Sequence, residues 1–94
     1  METNDNIRCI YVWKYKDSWE VVVHFTCGVI LIHIGKTLEY DNAKVEYTKD
    51  EILSYNVSGS EVVVKTTDGT ITLKEMYKTR SAEGYADPQE DSSK

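Results

Sequence analysis

Two histidines and a cysteine fall within twelve residues, in the stretch HFTCGVILIHIG from His24 to Gly35. Imidazole nitrogens and thiolates are the ligands of zinc and iron sites, and a thiol beside an imidazole is the pair used in nucleophilic catalysis. Either chemistry requires the side chains to converge, so strand parity decides the question. His24 is on the even face of its segment and Cys27 on the odd face, and a regular strand sends them to opposite sides. Beyond Gly28 a turn resets the alternation. With Cys27-Gly28 at the turn centre, His24 pairs with Leu31 and His33 becomes its diagonal neighbour. Two diagonal imidazoles and a distant carboxylate fall short of the three or four ligands that a metal site needs. The expected state is a pair of imidazoles on a mixed strand face, hydrogen-bonded or half exposed.

The thiols give little more. Cys9 is mid-strand on an apolar face, where burial raises a thiol pKa and blocks access. Cys27, beside a turn glycine, is the more accessible, with His24 or His33 as a possible base. The chain has no glycine-rich phosphate loop and no Gly-x-Ser-x-Gly elbow. Its carboxylate pairs, Glu39 with Asp41 and Asp50 with Glu51, sit in polar turns where ordinary pKa values are expected. No catalytic, cofactor-binding or metal-binding residue is assigned, and no cofactor is expected. A minimal metal- or thiol-dependent enzyme is the third functional reading, behind two binding roles.

The stronger feature is aromatic. In YVWKYKDSW, the residues Tyr11, Trp13, Tyr15 and Trp19 are expected to share one face near a hairpin tip, with Lys14 and Lys16 pointing the other way. Large rings on one face either fill a small barrel or anchor a protein interface. A binder of single-stranded nucleic acid needs its cations beside its rings, and here the two sets are expected on opposite faces.

Alternation places these residues on elements. Odd positions Ile7, Cys9, Tyr11, Trp13 and Tyr15 are apolar or aromatic, and Trp19, Val21, Val23, Phe25 and Cys27 repeat the parity after KDS. A split kept across a turn predicts a hairpin with its odd face buried. Pairing Tyr15 with Trp19 then sets Cys9 opposite Phe25, with Cys27 one diagonal step away. A register shift of two would bring the cysteines together, but reduced thiols are expected. VILIHI reads as a central strand, or, at an edge, as one able to pair with a partner strand. GKTLEYDNA reads as a turn containing a short strand. Thr48 and Glu51 have capping-box spacing, so TKDE could open a helical turn over Lys49–Leu53, although a strand from Glu51 to Val57 is preferred. That strand is the first of three expected between Glu51 and Tyr77, with SGS around Gly59 and Asp68-Gly69 as their turns.

The expected fold is all-β: a single small antiparallel barrel or roll, or a compact sandwich, of six or seven strands. The β domain spans residues 7–78. Residues 1–6 form a flexible tail and residues 79–94 a polar acidic tail, expected to be disordered.

Charge narrows the function further. The chain is 94 residues long with a net charge of −5. Glu2 and Asp5 put −2 in the first tail, and Glu83, Asp87, Glu90 and Asp91 against Arg80 and Lys94 put −2 in the second, which leaves −1 on residues 7–78. A near-neutral body lacks the basic surface of a nucleic-acid binder and the dense acid of a nucleic-acid mimic. No apolar run reaches the ~20 residues that a membrane helix needs. The polar start METNDNIR and the two unscaffolded cysteines point to the cytoplasm. The first reading is a non-catalytic domain working through a protein partner or self-association, as an adaptor, a subunit or a small inhibitor of the kind mobile elements encode. The second is an oligonucleotide-binding barrel, although nucleic acid is not the favoured partner, and no membrane contact is expected.

Overall fold

The computed structural model describes residues 6–40 and 44–83. Seven strands form one antiparallel sheet: β1 (Ile7–Tyr15), β2 (Ser18–Phe25), β3 (Val29–Tyr40), β4 (Glu46–Thr48), β5 (Ile52–Ser58), β6 (Glu61–Thr66) and β7 (Gly69–Glu83). Their spatial order is β4-β1-β2-β3-β7-β6-β5. The sheet curls into a half-barrel around a core of Ile7, Ile10, Val12, Val21, Val23, Tyr47, Ile52, Tyr55, Val62, Val64, Ile71 and Leu73. It is one sheet folded on itself, which excludes the two-sheet sandwich. Among the described residues no helix is long and apolar enough to cross a membrane.

Two three-stranded meanders, β1-β2-β3 and β5-β6-β7, meet where β3 pairs with β7. The two outermost strands, β4 and β5, are consecutive in the chain, joined by a single 3-10 turn at Lys49–Glu51. Thr48 caps that turn, with the Glu51 carboxylate accepting from the Thr48 N–H at 3.0 Å. The capping-box signal is therefore realised, and the strand follows it rather than replacing it.

The first hairpin departs from expectation. Its connection is the two residues Lys16 and Asp17, with Tyr15 paired to Ser18 and Lys16 at φ 58°. A two-residue turn with a positive φ matches the natural twist of a hairpin better than the three-residue KDS turn. Shortening the connection by one residue shifts the register by one, and that moves a whole strand's side chains to the other face. Even positions of β1 now share a face with odd positions of β2. The core face is Ile10 and Val12 with Val21 and Val23, and the odd aromatics of β1 point outward. The odd face expected for β2 is the inner one; β1 is the strand whose faces are exchanged, because the two-residue turn sets its even positions on the side of Val21 and Val23.

Other corrections follow from the ladders. Cys9 pairs with His24, and a bulge between Ile7 and Cys9 puts Ile7 opposite Phe25. Both cysteines are free. The VILIHI segment is central, flanked by β2 and β7, and offers no edge. It does not stop at Gly35, because β3 continues to Tyr40 through a bulge opposite Met76. A Cβ at Gly35 would lie 2.7 Å from the Lys74 carbonyl oxygen, so only glycine permits that approach. The turn before β7 is centred on Thr67-Asp68, one residue earlier than the Asp68-Gly69 pair.

The last strand runs to Glu83, past the boundary expected at residue 78. Residues 79–83 are poor in branched apolar side chains, but their main chain pairs with Val29 to His33, and the ladder does not require apolar side chains. At the other end, the Asn6 carbonyl accepts from the Thr26 N–H at 2.7 Å. The remainder of both expected tails lies outside the described residues.

Candidate interaction face

Residues directly opposite one another on neighbouring strands share a face. Followed across the sheet, the ladders define three outward rows. The first is Glu46, Tyr11, Val22, Ile32 and Arg80; the second is Trp13, Glu20, Ile34 and Lys78; the third is Thr48, Cys9, His24, Ile30 and Ala82. The outer face therefore carries an apolar and aromatic band, with Glu46 at one margin and Lys78 and Arg80 at the other. Val22 and Ile30 are 4% and 2% exposed, yet neither belongs to the barrel core. The sheet is apolar on both sides at its middle.

Tyr11, Trp13 and Tyr15 all lie on this face. Tyr11 and Trp13 are half-buried, with ring centroids 5.5 Å apart, and the edge of His24 meets Tyr11 at 5.3 Å. The Trp13 indole N–H donates to Glu20 Oε1 at 2.9 Å, and the Tyr11 hydroxyl donates to Glu46 Oε2 at 3.4 Å. Tyr15 stands exposed at the hairpin tip. The fourth expected member, Trp19, is separated from them. It pairs with Gly35 and packs against the barrel core from the inner side, with the Lys14 ammonium 5.6 Å from its ring. The one-residue register change accounts for this, since it reverses β2 relative to β1.

Lys78 and Arg80 also stand on the aromatic face, a placement that the sequence does not reveal. They come from the far end of the chain, and only the β3–β7 ladder brings them in. A groove of about 310 Å3 runs beside them, lined by Tyr15, Lys16, Ser18, Glu20, Ile34, Tyr77, Lys78 and Arg80. Tyr77 is the extra residue of the bulge opposite Gly35, and its hydroxyl hydrogen-bonds that of Ser18. The Lys36 ammonium lies 5.3 Å from the Tyr77 ring and the Lys16 ammonium 5.4 Å from the Tyr15 ring.

The histidines do not meet. His24 is on the outer face and His33 on the inner, because the register puts Ile30 rather than Leu31 opposite His24, and with it Val21 opposite His33. His33 is 2% exposed. Its Nε2 lies 2.6 Å from the Tyr55 hydroxyl and its Nδ1 3.2 Å from Thr79 Oγ1. Thr79 donates its own proton towards Met76 Sδ at 3.5 Å, so Nδ1–H donates to Thr79 and Nε2 accepts from Tyr55. Burial lowers the His33 pKa to about 4 and raises that of Tyr55 to about 12. This neutral relay joins β3 to β5 across the barrel interior.

Burial also raises the Cys9 thiol, and the neighbouring Tyr11 phenol is pushed up to about 12 by burial, with Cys9 and Glu46 adding to the effect. Cys9 is therefore held as a protonated thiol. Cys27 is exposed in the turn after β2. Among the described residues, no three His, Cys, Asp or Glu side chains converge as a metal site. Compared with known proteins, the chain matches no family model, no curated protein and no solved structure.

Proposed function

We propose that this chain is a non-catalytic domain that binds another protein through the outer face of β1, β2, β3 and β7. The observation that carries this reading is the outward placement of Tyr11, Trp13 and Tyr15 beside Ile32 and Ile34, with Glu46, Lys78 and Arg80 at the margins and the inner carboxylate, Glu20, bonded to the Trp13 indole. Amphipathic rings around an apolar band are the composition of interface anchors. Two free cysteines suit a reducing compartment, and we place the domain in the cytoplasm on that basis. A photo-cross-linking residue at Tyr15 in the full chain should yield a discrete protein adduct in cell extract. The same residue at Lys65, on β6 away from this face, should yield none. Adducts of equal yield at both positions, or at Lys65 alone, would overturn the assignment.

A second reading has one observation in its favour. Lys78 and Arg80 share a face with the rings, which removes the geometric objection to an oligonucleotide-binding barrel. That reading requires affinity for a labelled oligothymidylate that falls steeply with salt. No binding at low salt eliminates it.

A further inference from the structure

We propose that β7 is the docking edge for an extended acidic segment of the partner, which adds to the sheet as an eighth strand with alternate carboxylates against Lys78 and Arg80. This rests on reading the outer face as a protein interface and specifies the partner's chemistry. β7 is long, and its two flanks are used unequally. On one side it pairs with β3 along almost its whole length, from Ile71 to Glu83. On the other side β6 pairs only with Gly69 to Leu73, and the Met76 N–H reaches the Ser60 carbonyl at 2.9 Å. From Tyr77 onward, no strand among the described residues covers that side, and residues 77–82 are all exposed. An uncovered flank of a sheet offers main-chain donors and acceptors to an incoming strand.

The rows across the sheet specify what such a strand would carry. All three end at β7, one on Ala82 and two on cations, Arg80 and Lys78. An added strand extends the two cationic rows, so two of its residues, two positions apart, would stand directly opposite these cations. Opposite charges in directly facing positions are favourable and like charges are not. The residue between them would face inward beside Thr79, where a small or apolar side chain fits. The motif is thus acid-x-acid, with x apolar. Charge in the adjoining groove points the same way. Lys16 adds a third cation to the lining of that groove. The curvature of the half-barrel argues against a globular occupant, since a second convex surface would touch this one along a narrow band only. An extended segment along an edge avoids that restriction.

Cations on an edge also serve to keep stray strands away, and the test must separate the two roles. Isotope-labelled full-length chain is titrated with the peptide acetyl-Gly-Glu-Val-Glu-Val-Glu-Gly-amide, with its Lys-for-Glu counterpart, and with an oligothymidylate. The acidic peptide should give saturable amide shifts concentrated on residues 77–83. Lys78→Glu with Arg80→Glu should weaken it by about tenfold or more, an effect of about 1.4 kcal/mol, and should confer binding of the basic peptide. Amide spectra of the double variant confirm that it is folded, and Lys78→Gln with Arg80→Gln supplies the uncharged control, with intermediate affinity expected. No saturable shift from the acidic peptide, shifts centred elsewhere, or equal affinity after charge reversal would overturn the proposal. So would tighter binding of the oligothymidylate to the same amides, or a concentration-dependent dimer that occupies this edge. If the peptide fails while cross-linking at Tyr15 persists, the outer face stands as the interface and only the acidic strand falls.

Discussion

At the scale of the residue, the two imidazoles have opposite environments for a simple reason: successive rungs of the β2–β3 ladder alternate in facing, and theirs are three rungs apart. His33 is the residue with a measurable consequence. Its pKa of about 4 lies below the ordinary value of 6.5, so between those values the unfolded chain binds a proton that the folded chain refuses. Stability is therefore full above about pH 6.5, declines as the pH falls towards 4 and levels off below it, a loss of up to about 3 kcal/mol from this group. Denaturant titrations across that range should show the decline in the wild type and its absence in His33→Gln. Tyr55→Phe removes the hydroxyl that Nε2 accepts from and should cost about 1–2 kcal/mol at neutral pH. The thiols differ as clearly. Cys27 should react promptly with an aromatic disulfide reagent and Cys9 only slowly, as the exposed and the half-buried thiol. Equal rates would refute the burial assigned to Cys9.

At the scale of the element, strand existence was legible and facing was not. The hairpin, the central VILIHI strand, the Thr48–Glu51 cap and the turns near Gly59 and Asp68 are all local signals, carried by residues next to one another in the chain. Which face of β1 is buried depends on whether the connection has two residues or three, and aromatic residues at odd positions do not settle that. The aliphatic pair Ile10 and Val12 takes the interior because it meets Val21 and Val23 there. The extension of β3 past Gly35 was hidden for a different reason. Glycine followed by Lys36 and Thr37 reads as a turn, whereas its role is to let the β7 backbone approach. Gly35→Ala places a methyl group against the Lys74 carbonyl and should destabilise the fold by about 1–3 kcal/mol, through displacement of that bulge. Thermal denaturation with unchanged Tm would contradict the role given to this glycine.

At the scale of the whole molecule, the outer rows were beyond the reach of sequence reasoning, because Lys78 and Arg80 join the aromatic face only through pairing between distant segments. The same ladder has a kinetic meaning. Every other strand pair in either meander closes through a short turn, while β3 meets β7 by bringing Val29 to Glu83 and Tyr40 to Ile71. Contacts between distant segments form against a larger loss of chain entropy, so local hairpins have the advantage in time. The two meanders are expected to assemble first and the β3–β7 seam to close last. Truncations within the seam, such as Ile32→Ala, should then act mainly on the unfolding rate, and Val63→Ala within the β5-β6-β7 meander should slow refolding more for the same loss of stability. Because residues 77–82 supply both part of that seam and the exposed flank, a partner strand there would hold the last-formed junction of the fold closed. Binding would lengthen the lifetime of the folded chain by slowing its unfolding.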